Sequence, residues 1–191
     1  LHLPPVHVAG HSYGGSGAAM AVAAHPDLVR TLTLVEPSLF SLLTDDAEGR
    51  AVVAKQNAAY VQVIARLDRG EREGVLRDFI DLVAGPGAFD HAPPEAHTEM
   101  MDNLPTLKPL LAGKNRGAPF TRDNLSALKM PVLLIGSERS AQIFHLTEDN
   151  LEAALPDVRR ITLKGVSHLS AREDPAAFNA GLLGFLGGAN R

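Results

Sequence analysis

Short apolar runs alternate with longer stretches of helical spacing along most of this chain, and one span breaks the alternation. Leu3 to Ala9 reads as a buried strand, with Pro4 and Pro5 confined to its start. Gly14 to His25, rich in Ala and Gly, reads as a helix ended by Pro26-Asp27. Thr31 to Val35 is mostly apolar and β-branched, as a parallel strand buried on both faces should be, and it stops at Glu36-Pro37. The alternation resumes with a strand over Pro131 to Gly136, a helix over Gln142 to Leu155 and a strand over Arg159 to Leu163. Asp174-Pro175 then offers an N-cap followed by a first-turn proline, and the last helix runs to about Leu186.

The interruption carries no strand signal. An apolar patch, Leu39 to Leu43, precedes predicted helices over Ala51–Leu67, Arg72–Val83 and Pro93–Leu104. The second of these puts Val75, Leu76, Phe79, Ile80 and Val83 on one stripe. Pro105 to Pro119, rich in Pro and Gly, reads as a loop. The expected fold is α/β: a parallel sheet of about four strands with right-handed crossovers, flanked by helices. Residues 1–40 hold the first core segment, 41–128 form a helical insertion over the site, and 129–191 complete the core with the last two strands.

The turn between the first strand and helix carries the chemistry. Gly10-His11-Ser12-Tyr13-Gly14-Gly15 fits the G-x-S-x-G elbow, in which a serine at the apex of a strained strand-to-helix turn is lifted clear of the sheet. Gly10 and Gly14 leave room beside the strained residue, and Gly15 lets the helix approach the strand. Ser12 is the expected nucleophile, and the amide N–H of Tyr13 at the helix start is placed to stabilise an oxyanion. His11 reads as a packing residue pointing away from the pocket. His168 is the expected base: it lies in a Gly-x-Ser-His loop after the last strand, and it comes last in the chain as the Ser–acid–His order requires. The imidazole needs an orienting carboxylate. The loop after Gly136, where an Asp would first be sought, offers only Glu138. Glu36, at the C-terminal edge of the second strand and 36 − 12 = 24 residues past Ser12, is the preferred acid, with Glu138 the alternative.

Composition narrows the setting. The chain has 191 residues, 45% hydrophobic and 21% charged, enough for one domain with a sizeable core. A net charge of −4 leaves no nucleic-acid footprint. The absence of cysteine excludes disulfides, thiolate zinc sites and Cys nucleophiles. No apolar run reaches the ~20 residues of a membrane span. No signal peptide is visible, and a cytoplasmic location is expected. No metal cluster or nucleotide loop stands out, so no cofactor is implied.

These residues, with His25-Pro26-Asp27 and Val35-Glu36-Pro37, resemble the α/β-hydrolase fold of the cap-bearing kind, which includes esterases, carbon–carbon bond hydrolases, epoxide hydrolases and haloalkane dehalogenases. Ser12 argues against the last two, which use Asp. The resemblance covers the chain but only the second half of the family's catalytic domain. It implies a serine hydrolase acting on an ester of a small apolar molecule, with Phe40, Met100, Met101 and Phe120 of the insertion among the candidates for contact with it. Carbon–carbon bond cleavage is the alternative within the family. A non-catalytic truncated member, acting as a binding or scaffold protein, is the alternative outside catalysis. The family's second oxyanion donor precedes the elbow, beyond the start of this sequence, and losing one such donor costs ~10² to 10³ in rate. The first strand would then be an apolar edge open to dimerisation. The 191-residue chain alone is therefore expected to be weakly active or insoluble.

Overall fold

The computed structural model describes residues 4–113 and 119–189. Four parallel strands, β1 (Val6–His11), β2 (Val29–Val35), β3 (Val132–Ser137) and β4 (Val158–Leu163), pair in chain order. Consecutive parallel strands need a crossover each, and helices supply them. These are α1 (Ser12–Ala24), then α2 (Ala47–Asp68), α3 (Glu73–Ala84), α4 (Pro94–Leu111) and α5 (Arg122–Ser126) between β2 and β3, and α6 (Gln142–Ala154) before β4. The chain ends in α7 (Ser170–Glu173) and α8 (Pro175–Ala189). This is the expected α/β architecture.

Period-two alternation divides the strand residues between two faces. Leu32, Leu34, Val132 and Leu134 pack with Ala19 and Val22 of α1 and Leu151 of α6. Val35, Leu133, Ile135 and Leu163 pack with Phe185 of α8. Helices α2 to α4 build a separate apolar cluster around Val75, Leu76, Val83, Leu104 and Leu107. At the sheet's edge, β1 leaves Val6, His7, Ala9 and His11 exposed.

Several boundaries differ from the sequence reading. The first strand runs two residues further than expected, to His11, because its pairing with β2 holds to His11 opposite Val35. Of its expected start, Leu3 lies outside the described residues. The larger difference is the expected loop from Pro105. Helix α4 continues through Pro105 and Pro109 to Leu111. Both prolines, four residues apart, stand on the exposed face, while Leu104, Leu107 and Leu111 are buried opposite them. A proline inside a helix costs ~3 kcal/mol, of the same order as burying one or two leucines at ~1.5–3 kcal/mol each, so packing overrides the local penalty. Residues 114–118, toward the end of the expected loop, lie outside the described residues. Helix α5, absent from the reading, is closed by a reciprocal Thr121–Asn124 capping box.

Candidate active site

Ser12 follows β1 directly and opens α1, with φ 53. A non-glycine residue held in the left-handed region is strained, and the surroundings must impose it. They do so by close approach of α1 to the strand. A Cβ on Gly10 would lie 2.6 Å from the Gly14 carbonyl oxygen and 2.9 Å from the Ala18 methyl; one on Gly15 would lie 3.0 Å from Pro37. Gly14 is different from the sequence reading, since a Cβ there would meet nothing within 4 Å. Ser12 is tied to the end of β2: its carbonyl accepts from the Ser38 N–H at 3.1 Å, and its Oγ lies 3.5 Å from Ser38 Oγ.

Glu36 is the first residue past β2, at φ 41 and 0% exposed. Its carboxylate is fully engaged. Oε1 accepts from the Ser137 N–H at 2.8 Å, and Oε2 accepts from Ser140 Oγ at 2.7 Å and His168 Nδ1 at 2.6 Å. Burial alone would raise the Glu36 pKa. The hydrogen bond and charge of His168, with the Ser140 and Ser137 donors, outweigh it and hold the carboxyl below its ordinary value. With Nδ1 donating to Glu36, a neutral His168 carries its acceptor lone pair on Nε2.

His168 sits on the loop after β4 and is almost fully buried. That loop is fixed by Glu173, which accepts from both the N–H and the Oγ of Ser167. Phe144 of α6 stacks on the imidazole at 4.2 Å between ring centroids, and His11 lies against it at 4.5 Å. His11 therefore faces the site, against the sequence reading. It keeps an exposed face at the strand edge, but the atoms packed about the rest of its ring, and then the neighbouring His168, disfavour the charged form and pull its pKa down to about 4.

The structure thus brings Glu36, and not Glu138, to His168. Glu138 turns outward, accepting from the Gly165 N–H at 2.8 Å and Lys164 Nζ at 3.0 Å. Ser12, Tyr13 and His168 line one cavity of about 540 Å³, walled on its apolar side by Phe40, Tyr60, Phe79, Ile80, Leu111 and Phe120. Of the four residues expected to contact a substrate, Phe40 and Phe120 line this cavity. Met100 lines a neighbouring cavity instead, and Met101 packs against the cluster of α2 to α4. Sequence reasoning missed Ser38, Ser140 and Phe144. Ser38 follows Glu36-Pro37 and Ser140 lies in the loop after Gly136, but nothing in a lone serine marks it as a hydrogen-bond partner of a site. Among the described residues no group of three or more His, Asp or Glu is arranged to hold a metal ion. No described helix is long and apolar enough to cross a membrane.

The family model described as the alpha/beta hydrolase family matches residues 1–180. A protein of Azorhizobium caulinodans, RutD, provisionally named a carbamate hydrolase, is 27% identical over 204 residues, covering 95% of this chain and 66% of its own length. Among solved structures, MenH from S. aureus aligns with a TM-score of 0.71 at 16% identity, over 98% of this chain and 70% of its own. The carboxylesterase CesB of Bacillus subtilis gives 0.70 at 22% identity, over 98% of this chain and 62% of its own. At such identities these two structures speak for the fold alone. The chain spans about two thirds of the length of these relatives.

Proposed function

Because this chain belongs to the alpha/beta hydrolase family, we propose that the protein is a serine hydrolase cleaving an ester of a small apolar acid or alcohol, with Ser12, His168 and Glu36 as its triad. The observation that carries the reading is the buried 2.6 Å contact between His168 Nδ1 and Glu36 Oε2 at the wall of the cavity that Ser12 enters.

In this reading Ser12 Oγ attacks the ester carbonyl while its proton passes to His168 Nε2. Ionised Glu36 holds the ring and stabilises the imidazolium. Charge developing on the carbonyl oxygen is met by the Tyr13 N–H, one of the unpaired donors at the start of α1. His168 then hands the proton to the leaving alkoxide, which departs as the alcohol. Water, activated by the same imidazole, attacks the acyl-Ser12 ester, and the acid is released with Ser12 regenerated. The aromatic wall of Phe40, Tyr60, Phe79 and Phe120 favours an apolar substrate over a charged one at the reacting end. Helices α2 to α4 serve as the cap that closes this pocket. RutD's provisional name supports a carbamate as second substrate class, since its carbonyl would be attacked in the same way.

A fluorophosphonate probe on the full-length protein tests the reading. Wild type is expected to label covalently at Ser12, and Ser12→Ala to remain unlabelled. Equal labelling of the two, or none of the wild type, overturns it.

A further inference from the structure

A second cavity, of about 770 Å³, shares part of its wall with the one over Ser12. Leu169, next to the proposed base His168, lines both. The end of α3 runs along the same junction, giving Val83 to the first cavity and Ala84 and Gly85 to the second. The two cavities differ in charge. Among the described residues the first is lined by aromatic, aliphatic and hydroxyl groups apart from its histidines, whereas the second carries Arg139, Arg172 and Glu173.

Of those three, two are already satisfied. Both oxygens of Glu173 are taken by Ser167, and Arg172 pairs with Glu99 at 2.6 Å. The Arg139 guanidinium has no hydrogen bond or ion pair with the described residues. Its backbone, in contrast, is held firmly. Arg139 lies between Ser137 and Ser140, which both donate to Glu36, and its own N–H donates to the Val166 carbonyl at 2.9 Å. An exposed, unpartnered guanidinium is therefore carried on a firmly held backbone, in the loop that positions the proposed acid, and it lines a cavity one side chain beyond the proposed base.

We propose that this second cavity is an anion subsite, in which Arg139 binds a carboxylate carried by the substrate beyond its hydrolysable bond. The inference rests on the hydrolase reading for what happens at Ser12, but not for the binding itself. A planar, permanently charged guanidinium suits a carboxylate bidentately. The substrate class is then a monoester of a dicarboxylic acid: its ester carbonyl sits at Ser12, its apolar spacer passes Leu169, and its free carboxylate reaches Arg139.

Binding to full-length protein carrying Ser12→Ala, measured by calorimetry, decides the matter without requiring turnover. Monomethyl adipate is expected to bind about five- to tenfold more tightly than neutral dimethyl adipate, the range of one partly exposed charged contact. Arg139→Gln in the same background is expected to abolish the preference, and Arg139→Lys to keep part of it. The subsite is overturned if the monoester fails to bind, if it binds no better than the diester, or if its preference survives Arg139→Gln. Turnover of dimethyl adipate by the wild type judges the hydrolase reading separately: a protein that binds the monoester through Arg139 yet cleaves neither ester retains the subsite and loses the enzyme.

Discussion

Ser12 and Glu36 each occupy the left-handed backbone region, at φ 53 and 41, and each is the first residue beyond a registered pair of neighbouring strands, His11 opposite Val35. Among the described residues they are the two non-glycine positions with positive φ. Two parallel strands thus end level and turn sharply, so that Ser12 and Glu36 both stand at the C-terminal end of the sheet. Ladder hydrogen bonds below and the tie from Ser38 to the Ser12 carbonyl above impose the turn.

That strain is measurable. Ser12→Gly, which has no Cβ to clash, is expected to be more stable than Ser12→Ala by about 1 kcal/mol, the usual cost of a left-handed alanine. Both remove the same hydroxyl, so the difference isolates the backbone. Denaturant midpoints of the two variants check this, and equal midpoints would mean that Ser12 is not strained.

Crowding at the turn is unequal, and the glycines should show it. Gly10→Ala places a methyl within 3 Å of the Gly14 oxygen and two further atoms of α1. A loss of about 3 kcal/mol or more, or failure to accumulate soluble protein, is expected, above the range of ordinary overpacking. Gly14→Ala is expected to change stability by less than about 0.5 kcal/mol. Thermal melts of both variants make the comparison, and a Gly10→Ala protein as stable as Gly14→Ala contradicts the close approach.

The two candidate acids separate on activity. Glu36 holds His168, whereas Glu138 braces the Lys164-Gly165 turn. Under the proposed mechanism Glu36→Gln should lower kcat/KM by about 10² to 10⁴, the scale of losing a triad carboxylate. Glu138→Gln should change it less than about threefold. Steady-state rates on a p-nitrophenyl ester settle the ranking, and a larger loss in Glu138→Gln would reverse the assignment.

How far the sequence could carry this is clearest at those residues. Strands, elbow and the Gly-x-Ser-His loop are local patterns, so β1 to β4, Ser12 and His168 were all legible. The place of Glu36 beside His168 was legible too, because strand order and the missing Asp after Gly136 left few carboxylates that could reach the imidazole. The rest depends on distance in the chain. Ser140 lies 104 residues from the Glu36 it serves, and Phe144 reaches His168 from another helix. The burial that carries α4 through Pro105 and Pro109 is likewise tertiary, and no propensity read along the chain reports it.

Glu148 of α6, on which the sequence reading is silent, is wholly buried. Its carboxylate fills the notch left by Gly136, where a Cβ would come within 2.2 Å of Oε2. Oε2 accepts from Arg160 at 3.1 Å, and Oε1 has no partner among the described residues. Burial pushes its pKa up to about 8, against the pull of Arg160 and with the nearby charge of Glu36 adding to it. An unfolded glutamate titrates near ~4.3. Between that value and about 8 the folded protein holds a proton that the unfolded chain releases, so raising the pH through this window costs stability. Glu148→Gln keeps the shape and removes the titration. We expect the variant to gain on the wild type steadily from pH 5 to pH 8, by about 1 kcal/mol or more at the upper end, since each pK unit is worth ~1.4 kcal/mol. Urea midpoints of both proteins at pH 5, 6.5 and 8 read this directly. Parallel pH profiles for the two proteins would show that Glu148 does not carry the proton.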